Sequence, residues 1–150
     1  MKIYRIASTS HIRELSGYGA AAYGGRWNDV GRAVVYTGSS IALSAWEVRV
    51  HLHNNILPRD DLYSVVFLTI PDFGIIDVEQ LKSDWKVNQS YTRMLGGQWL
   101  DEGKYLCMRV PSAIVHFEYN YLINPEHPMI KDVVIDAVHP FIFDPRTFVY

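Results

Sequence analysis

The sequence predicts an α+β (mixed α/β) fold, in which a compact sheet carries few helices. Segments with the composition of β-strands outnumber those with the periodicity of helices, and the two kinds do not alternate along the chain as they do in doubly wound proteins. Hydrophobic residues occupy 49% of the 150 positions, enough for a sizeable core without disulfides. No linker, repeat or low-complexity tract divides the chain, so one domain over residues 1–150 is expected.

Strands are predicted where β-branched, aliphatic and aromatic residues run together between glycine, proline or polar turns. They cover residues 2–7, 33–37, 62–70, 75–78, 105–110, 114–119 and 132–138, with an edge strand expected at 147–150. One helix is predicted to begin at Ser39 or Ser40 and to run to about residue 53. A second is predicted to begin at Asn88 or Ser90 and to run to about residue 101. The glycine-rich stretch 16–25 is expected to be a loop.

The charge balance and the cysteine content exclude several classes of protein. Lys and Arg number 14 and Asp and Glu number 16, a formal charge of -2, which argues against direct nucleic-acid binding. The single cysteine, Cys107, excludes a disulfide framework and a thiolate zinc cluster, and its strand-like surroundings predict a buried packing role. No apolar run approaches the roughly 20 residues that cross a bilayer. A cytoplasmic protein without a membrane anchor is expected.

Two patterns resemble functional motifs and are rejected. Gly17, Gly19 and Ala22 have the spacing of a dinucleotide-binding fingerprint, but a polar stretch precedes them and no helix is predicted after them. His51 and His53 could suggest a metal site, but residues two apart on a helix face different directions, and no nearby ligand completes a set. No metal is expected.

A glycine pair followed by an arginine is the first positive signal. Gly24 and Gly25 let the backbone turn sharply and a ligand approach closely. Arg26 can then present its rigid five-donor fork to a phosphate or a carboxylate, with Trp27 as an apolar wall. The alternative, a tight surface turn with an incidental arginine, is left open by this segment alone.

Glu47 stands within the apolar arc of the first predicted helix, which is centred on Leu43 and also contains Trp46 and Val50. A carboxylate directed toward a core is costly unless it is paired or kept for catalysis. A structural salt bridge is the alternative. A catalytic role is preferred, because Arg26 and Tyr36 lie on the loop and the strand that lead into this helix.

Ser112 and Asn120 are further candidate ligands of a substrate. Ser112 follows Pro111 at the end of a predicted strand, where its hydroxyl could bind a ligand or cap a turn. Taken singly, each of the two residues fits a turn at least as well as a binding site.

Five short motifs together resemble the RES-domain family, which is named for an arginine, a glutamate and a serine. They are Gly-Gly-Arg26-Trp-Asn, Val-Val-Tyr36-Thr, Ala-Leu-Ser-Ala-Trp-Glu47-Val-Arg-Val-His, Arg109-Val-Pro-Ser112-Ala-Ile and Asn120-Tyr-Leu-Ile-Asn124-Pro-Glu-His127-Pro. They occur in the family's order over nearly the whole chain. The resemblance implies the toxin of a bacterial type II toxin–antitoxin pair, with a fold like that of ADP-ribosyltransferase toxins. It also implies an antitoxin partner with an Xre-like DNA-binding region, and it is compatible with a homodimer inside the complex.

The resemblance further implies that the substrate is NAD+, consumed rather than held as a cofactor. Glu47 would stabilise the cationic ribose and bind its 2′-hydroxyl, Arg26 would hold the pyrophosphate, and Tyr36 would wall the nicotinamide or the ribose. Ser112, with Asn120 as a second candidate, would hydrogen-bond the nicotinamide ribose or amide. The reaction is hydrolysis, or phosphorolysis with phosphate as co-substrate. The alternatives are mono-ADP-ribosylation of a protein and a non-enzymatic partner of a DNA-binding protein.

Overall fold

The computed structural model describes residues 1–148, and its centre is a seven-stranded mixed sheet with three α-helices. The strands are β1 (Lys2–Ser8), β2 (Val35–Gly38), β3 (Tyr63–Thr69), β4 (Ile75–Asp77), β5 (Cys107–Pro111), β6 (Tyr119–Ile123) and β7 (Val134–Phe141). The helices are α1 (Tyr18–Tyr23), α2 (Ile41–His51) and α3 (Gln89–Glu102). Short 3-10 turns cover Asp72–Gly74, Pro128–Asp132 and Pro145–Phe148. The α+β prediction is therefore confirmed.

The strand order in the sheet is β4-β5-β6-β2-β1-β3-β7. Only β4 and β5 pair in parallel, and all other neighbours are antiparallel. The order matters for the site, because β6 lies between β5 and β2 although it follows both in sequence. Residues at the ends of β2, β5 and β6 are thereby brought together.

Apolar side chains form two clusters, and neighbouring residues on one strand belong to different ones. Cys107 and Ile123 belong to a cluster that also contains Ile3 and Leu68, whereas Met108 and Leu122 belong to a second one around Trp27 and Trp99. Because successive side chains of a strand point to opposite faces, this division shows that the sheet buries apolar residues on both faces. Burial of this kind supplies most of the stability of the fold.

Helix α2 lies close against β1 and β2. Ser40 caps it by accepting a hydrogen bond from the backbone nitrogen of Leu43 at 3.0 Å, as the sequence predicts. Ser44 donates to the carbonyl of Tyr4 at 3.1 Å, and a Cβ on Gly38 would meet the Ser44 hydroxyl at 2.8 Å. This close approach fixes the side of α2 that faces the sheet and so positions Glu47 one turn later.

Three sequence-based expectations are corrected. Residues 18–23 form a short helix, which receives hydrogen bonds on its carbonyls from the Asn28 side chain and the Gly31 backbone, instead of a loop. Residues 114–118 form a turn, and the strand begins only at Tyr119. The predicted apolar arc of α2 is only partly buried: Leu43 at its centre is buried beside Ser44, whereas Trp46 is 51% exposed and Val50 is 46% exposed.

Two further expectations concern the C-terminal tail and membrane-spanning segments. The tail expected as an edge strand enters a 3-10 turn at 147–148, and its last two positions lie outside the described residues. Among the helices of residues 1–148, none is both long and apolar enough to cross a membrane.

Candidate active site

A cleft of about 670 Å³ opens between α2, the loop over residues 24–27 and the loop that follows β5. Its volume lies in the range of cavities that hold cofactors and small substrates. Four of the five predicted site residues line it: Arg26, Tyr36, Glu47 and Asn120. The fifth, Ser112, contacts Glu47 through a hydrogen bond.

Glu47 is half-buried on the second turn of α2, and its two oxygens differ in their partners. Oε1 accepts hydrogen bonds from Ser112 Oγ at 3.2 Å and from Asn120 Nδ2 at 2.6 Å. Oε2 accepts none from any residue between 1 and 148. The carboxylate is thus oriented through one oxygen and leaves the other available in the cleft.

Ser112 both caps a turn and orients Glu47. Its side chain is 4% exposed, and Oγ accepts hydrogen bonds from the backbone nitrogens of Ile114 at 3.1 Å and Val115 at 3.0 Å. These bonds define the turn that replaces the predicted strand. Because the hydroxyl proton is directed to Glu47, the two alternatives considered from the sequence occur together in one side chain.

Asn120 lies on β6, paired with Gly38 of β2 on one side and with Val110 of β5 on the other. Its Nδ2 donates to Glu47, while its Oδ1 is buried and has no hydrogen-bond partner within the described chain. An unsatisfied buried acceptor costs about 1–3 kcal/mol. The orientation in which Asn120 donates to Glu47 therefore lowers the stability of the fold.

The guanidinium group of Arg26 is held by a hydrogen bond at one of its three nitrogens. Nη1 donates to the backbone carbonyl of Lys86 at 2.5 Å, and the group lies 5.8 Å from the ring centroid of Trp85. Over residues 1–148, Arg26 forms no salt bridge, and its Nε and Nη2 donate to no protein group. An arginine held in this way retains donors for an anion in the cleft.

The ring of Tyr36 lines the cleft, and its hydroxyl holds the arginine loop. The hydroxyl donates to Asn28 Oδ1 at 2.6 Å and accepts from the backbone nitrogen of Trp27 at 3.1 Å. A Cβ on Gly25 would lie 2.6 Å from this hydroxyl, so the loop needs glycine there. Burial raises the pKa of Tyr36 to about 12, so the hydroxyl stays protonated at neutral pH and keeps its donated bond.

Helix α3 supports the same loop, a contact that sequence reasoning missed. Thr92 and Arg93 donate to the carbonyls of Arg26 and Gly25, the latter bond being 2.8 Å long. A Cβ on Gly96 would lie 1.8 Å from the carbonyl oxygen of the loop residue Trp27. The sequence feature that could have predicted this contact is Gly96, because a glycine inside a helix indicates a close approach of another backbone.

The histidines and the cysteine considered in the sequence analysis have different surroundings in the structure. Within 1–148, no group of three or more His, Cys, Asp or Glu side chains could hold a metal ion. His51 lines the cleft at the end of α2, and His53 lies beyond the helix. Cys107 is buried, and burial raises the pKa of its thiol, in agreement with the predicted packing role.

Comparison with known proteins decides the family. The family model of the RES domain matches residues 2–144. The chain belongs to the RES domain family. This confirms the resemblance carried by the five motifs, including the segments that contain Arg26, Glu47 and Ser112.

Two relatives of this RES domain are similar over most of their length. The chain is 36% identical over 137 residues to "Toxin Res" of Photorhabdus laumondii subsp. laumondii, covering 88% of the chain and 85% of that protein. It is 37% identical over 147 residues to the "Prs ADP-ribosylating toxin" of Sphingobium sp. (strain YBL2), covering 93% and 90%.

The fold of the RES domain also matches a solved structure. The match is to a crystal structure of the M. tuberculosis MbcT–MbcA toxin–antitoxin complex, with a TM-score of 0.77 and 17% identity, and it covers 98% of this chain and 86% of that one. At this identity the likeness concerns the fold.

Proposed function

We propose that this RES domain cleaves the bond between nicotinamide and ribose in NAD+ and acts as a toxin by depleting the cytoplasmic NAD+ pool. One observation carries the proposal: Glu47 is oriented through Oε1 by Ser112 and Asn120, while Oε2 stays available in a cleft of substrate size. The toxin names of relatives at 36% and 37% identity support the biological role.

The proposed reaction matches what a single carboxylate can do. Nicotinamide leaves NAD+ as a neutral molecule, so the bond breaks without a strong general acid. Positive charge develops on the ribose, as in other glycosyl transfers. Glu47 Oε2 would accept a hydrogen bond from the 2′-hydroxyl and stabilise the developing cation, and a preorganised group of this kind contributes strongly because it need not reorganise during the reaction.

The other predicted residues have complementary proposed roles. Arg26 would bind the pyrophosphate through the donors that the protein leaves free. The ring of Tyr36 would form a wall for the nicotinamide or the ribose. Ser112 and Asn120 would act mainly by orienting Glu47, since each donates to its Oε1. NAD+ is a substrate in this scheme, and no metal or other cofactor takes part.

A second candidate is mono-ADP-ribosylation of a protein. The name of the Sphingobium relative, a "Prs ADP-ribosylating toxin", is the specific observation that favours it. Both reactions share the cleavage step at Glu47 and differ only in the acceptor: water or phosphate in one, a protein side chain in the other.

Incubation of the purified protein with NAD+ tests both candidates. Free nicotinamide with ADP-ribose indicates hydrolysis, and ADP-ribose 1″-phosphate formed only with added phosphate indicates phosphorolysis. Label from NAD+ retained on a protein band, in a reaction supplied with cell extract, indicates protein ADP-ribosylation. NAD+ left intact under all three conditions by folded protein would refute the proposal.

The partner in this proposal is an Xre-like antitoxin that covers the cleft. The structural neighbour is a toxin–antitoxin complex, which supports a protein partner. A segment of the antitoxin could bind the donors of Arg26 in place of pyrophosphate, and operator contacts would come from the antitoxin. The purified complex should fail to bind NAD+ and regain binding when the antitoxin is removed. Equal NAD+ affinity of the complex and the free toxin would refute occlusion.

A further inference from the structure

The charged side chains that line the cleft are mostly positive. Three arginines line it, Arg5, Arg26 and Arg93, against one carboxylate, Glu47. The whole chain carries a formal charge of -2, so the positive character is local to the cleft. Such an excess favours a ligand with more than one negative charge.

Arg5 is committed to the fold. Its Nη1 donates to the backbone carbonyl of Glu14 at 2.8 Å and, at 3.4 Å, to that of Ile12. Burial lowers the pKa of its guanidinium group. The positive charge available at the opposite side of the cleft is therefore that of Arg26 and Arg93.

Arg93 lies across the glycine pair of the arginine loop. Its Nε donates to the carbonyl of Gly25 at 2.8 Å, and its Nη2 lies 3.5 Å from the point that a Cβ on Gly24 would occupy. At that distance a Cβ on Gly24 would be in ordinary contact with the guanidinium group, so Arg93 packs directly over the loop backbone. The bond to Gly25 and the contact at Gly24 hold an arginine of α3 at the lining of the cleft, 68 residues along the chain from Gly25.

The guanidinium group of Arg93 has unused donors. Nη1 donates to no group in residues 1–148, and Nη2 has only a long contact of 3.4 Å to Gln89 Oε1. No carboxylate of the described chain lies within salt-bridge distance of it, whereas Arg32 pairs with Asp101 of α3 at 2.8 Å. An arginine whose position is fixed and whose charge is unpaired is preorganised for an anion.

Arg93 and Arg26 act on the same region of the cleft. Both positive charges favour the ionised form of Tyr36 and so oppose the burial that raises its pKa, with Arg93 the larger of the two effects. Each guanidinium group is held at one nitrogen by a backbone carbonyl, of Gly25 or Lys86. Both guanidinium groups therefore line the cleft together with Tyr36, each with donors to spare.

We infer that Arg93 is a second guanidinium ligand of the dinucleotide pyrophosphate, acting with Arg26 on the two phosphate groups. The inference rests on the proposed function for the identity of the ligand. It assigns to Arg93 a binding role in addition to its contact with the loop. One arginine per phosphate matches the charge of a pyrophosphate better than Arg26 alone.

The test separates anion binding from support of the loop. Binding of inorganic pyrophosphate and of ADP-ribose is measured by calorimetry for the wild type, Arg93→Gln, Arg93→Lys and the control Arg32→Gln. Cleavage of nicotinamide riboside, which lacks the pyrophosphate, reports on the Glu47 end of the cleft. The near-ultraviolet circular dichroism of Trp27 and Trp85, whose ring centroids are 6.0 Å apart beside the loop, reports on loop structure.

Both Arg93 variants should bind pyrophosphate and ADP-ribose about 10- to 100-fold more weakly, the loss expected for a charged hydrogen bond. Their dichroism should keep the wild-type shape, because Thr92 still holds the loop. Their rate on nicotinamide riboside should fall far less than their pyrophosphate affinity, and Arg32→Gln should resemble the wild type throughout. Unchanged pyrophosphate affinity in Arg93→Gln, or an equal loss on nicotinamide riboside, would overturn the inference, as would a wild type that binds neither anion. A wild type that binds pyrophosphate through Arg93 yet releases nicotinamide from neither NAD+ nor nicotinamide riboside would sustain the anion site and refute the proposed reaction.

Discussion

Replacement of Glu47 by glutamine tests the central assignment with the smallest change of shape. The amide oxygen can occupy the position of Oε1 and accept the same hydrogen bonds from Ser112 and Asn120. The amide nitrogen then takes the place of Oε2. The substitution therefore removes the negative charge and turns an acceptor into a donor at the one position where the cleft offers a free carboxylate oxygen.

The expected effects on stability and on activity differ greatly. Two hydrogen bonds to a charged acceptor become hydrogen bonds to a neutral one, a loss of about 1–2 kcal/mol that leaves the protein folded. Loss of one preorganised electrostatic contact to a transition state lowers the rate on the order of 10²- to 10³-fold, equivalent to about 3–4 kcal/mol in the barrier. Glu47→Asp should also lose most activity, because the shorter side chain withdraws the carboxylate from both donors.

The assay is nicotinamide release from NAD+, measured beside thermal unfolding. Glu102→Gln is the matched control, because Glu102 is exposed at the end of α3 and forms no salt bridge in residues 1–148. It should retain wild-type activity. A Glu47→Gln protein that is folded and releases nicotinamide at the wild-type rate would show that the carboxylate does not stabilise the reacting ribose.

The remaining predictions concern the arginine loop. Arg26→Lys should weaken NAD+ binding nearly as much as Arg26→Ala, because lysine lacks the fork that can contact both a carbonyl and a phosphate; wild-type affinity in the lysine variant would contradict this. Gly96→Ala should be strongly destabilising in urea unfolding, since its Cβ would overlap Trp27, whereas Gly97→Ala, with no atom within 4 Å, should gain about 0.5–1 kcal/mol; equal effects would disprove the close packing. Because the pKa of Tyr36 is raised to about 12, its hydroxyl loses the proton in the unfolded state at lower pH than in the folded state. The free energy of unfolding should therefore keep the full contribution of Tyr36 below pH 10 and decrease between pH 10 and about 12, by about 1.4 kcal/mol per pH unit. Tyr36→Phe, compared with wild type over this range, should remove that part of the decline, and parallel curves would refute it.

Local sequence patterns predicted most of the elements. Runs of β-branched and aromatic residues indicated six of the seven observed strands, all but β6. Of the two capping residues considered for each helix, Ser40 begins α2 and Asn88 begins α3. These predictions succeeded because caps and buried strands are determined by side chains close to them in sequence. Ser112 was also identifiable as a turn residue for the same reason.

The errors occurred where contacts outside the regular elements override the local propensity of the residues. Ile114 and Val115 favour a strand, but Ser112 Oγ accepts their backbone hydrogens and holds a turn, and Phe117 adopts a positive φ of 66°. The helix at 18–23 is short for an isolated helix, and contacts from Asn28 and Gly31 complete it.

The candidate site also combines features that the sequence predicted with features that depend on tertiary contacts. By themselves, the residue types and motifs determined which side chains to consider, Arg26, Tyr36, Glu47, Ser112 and Asn120 among them. Only the tertiary structure decided that Ser112 and Asn120, 65 and 73 residues from Glu47, donate to the same carboxylate oxygen and that Arg93 reaches the cleft. The physical reason is that the position of β6 between β5 and β2, and the packing of α3 on the arginine loop, depend on pairing and burial between distant segments. A pattern read along the chain carries no information on which distant strands become neighbours.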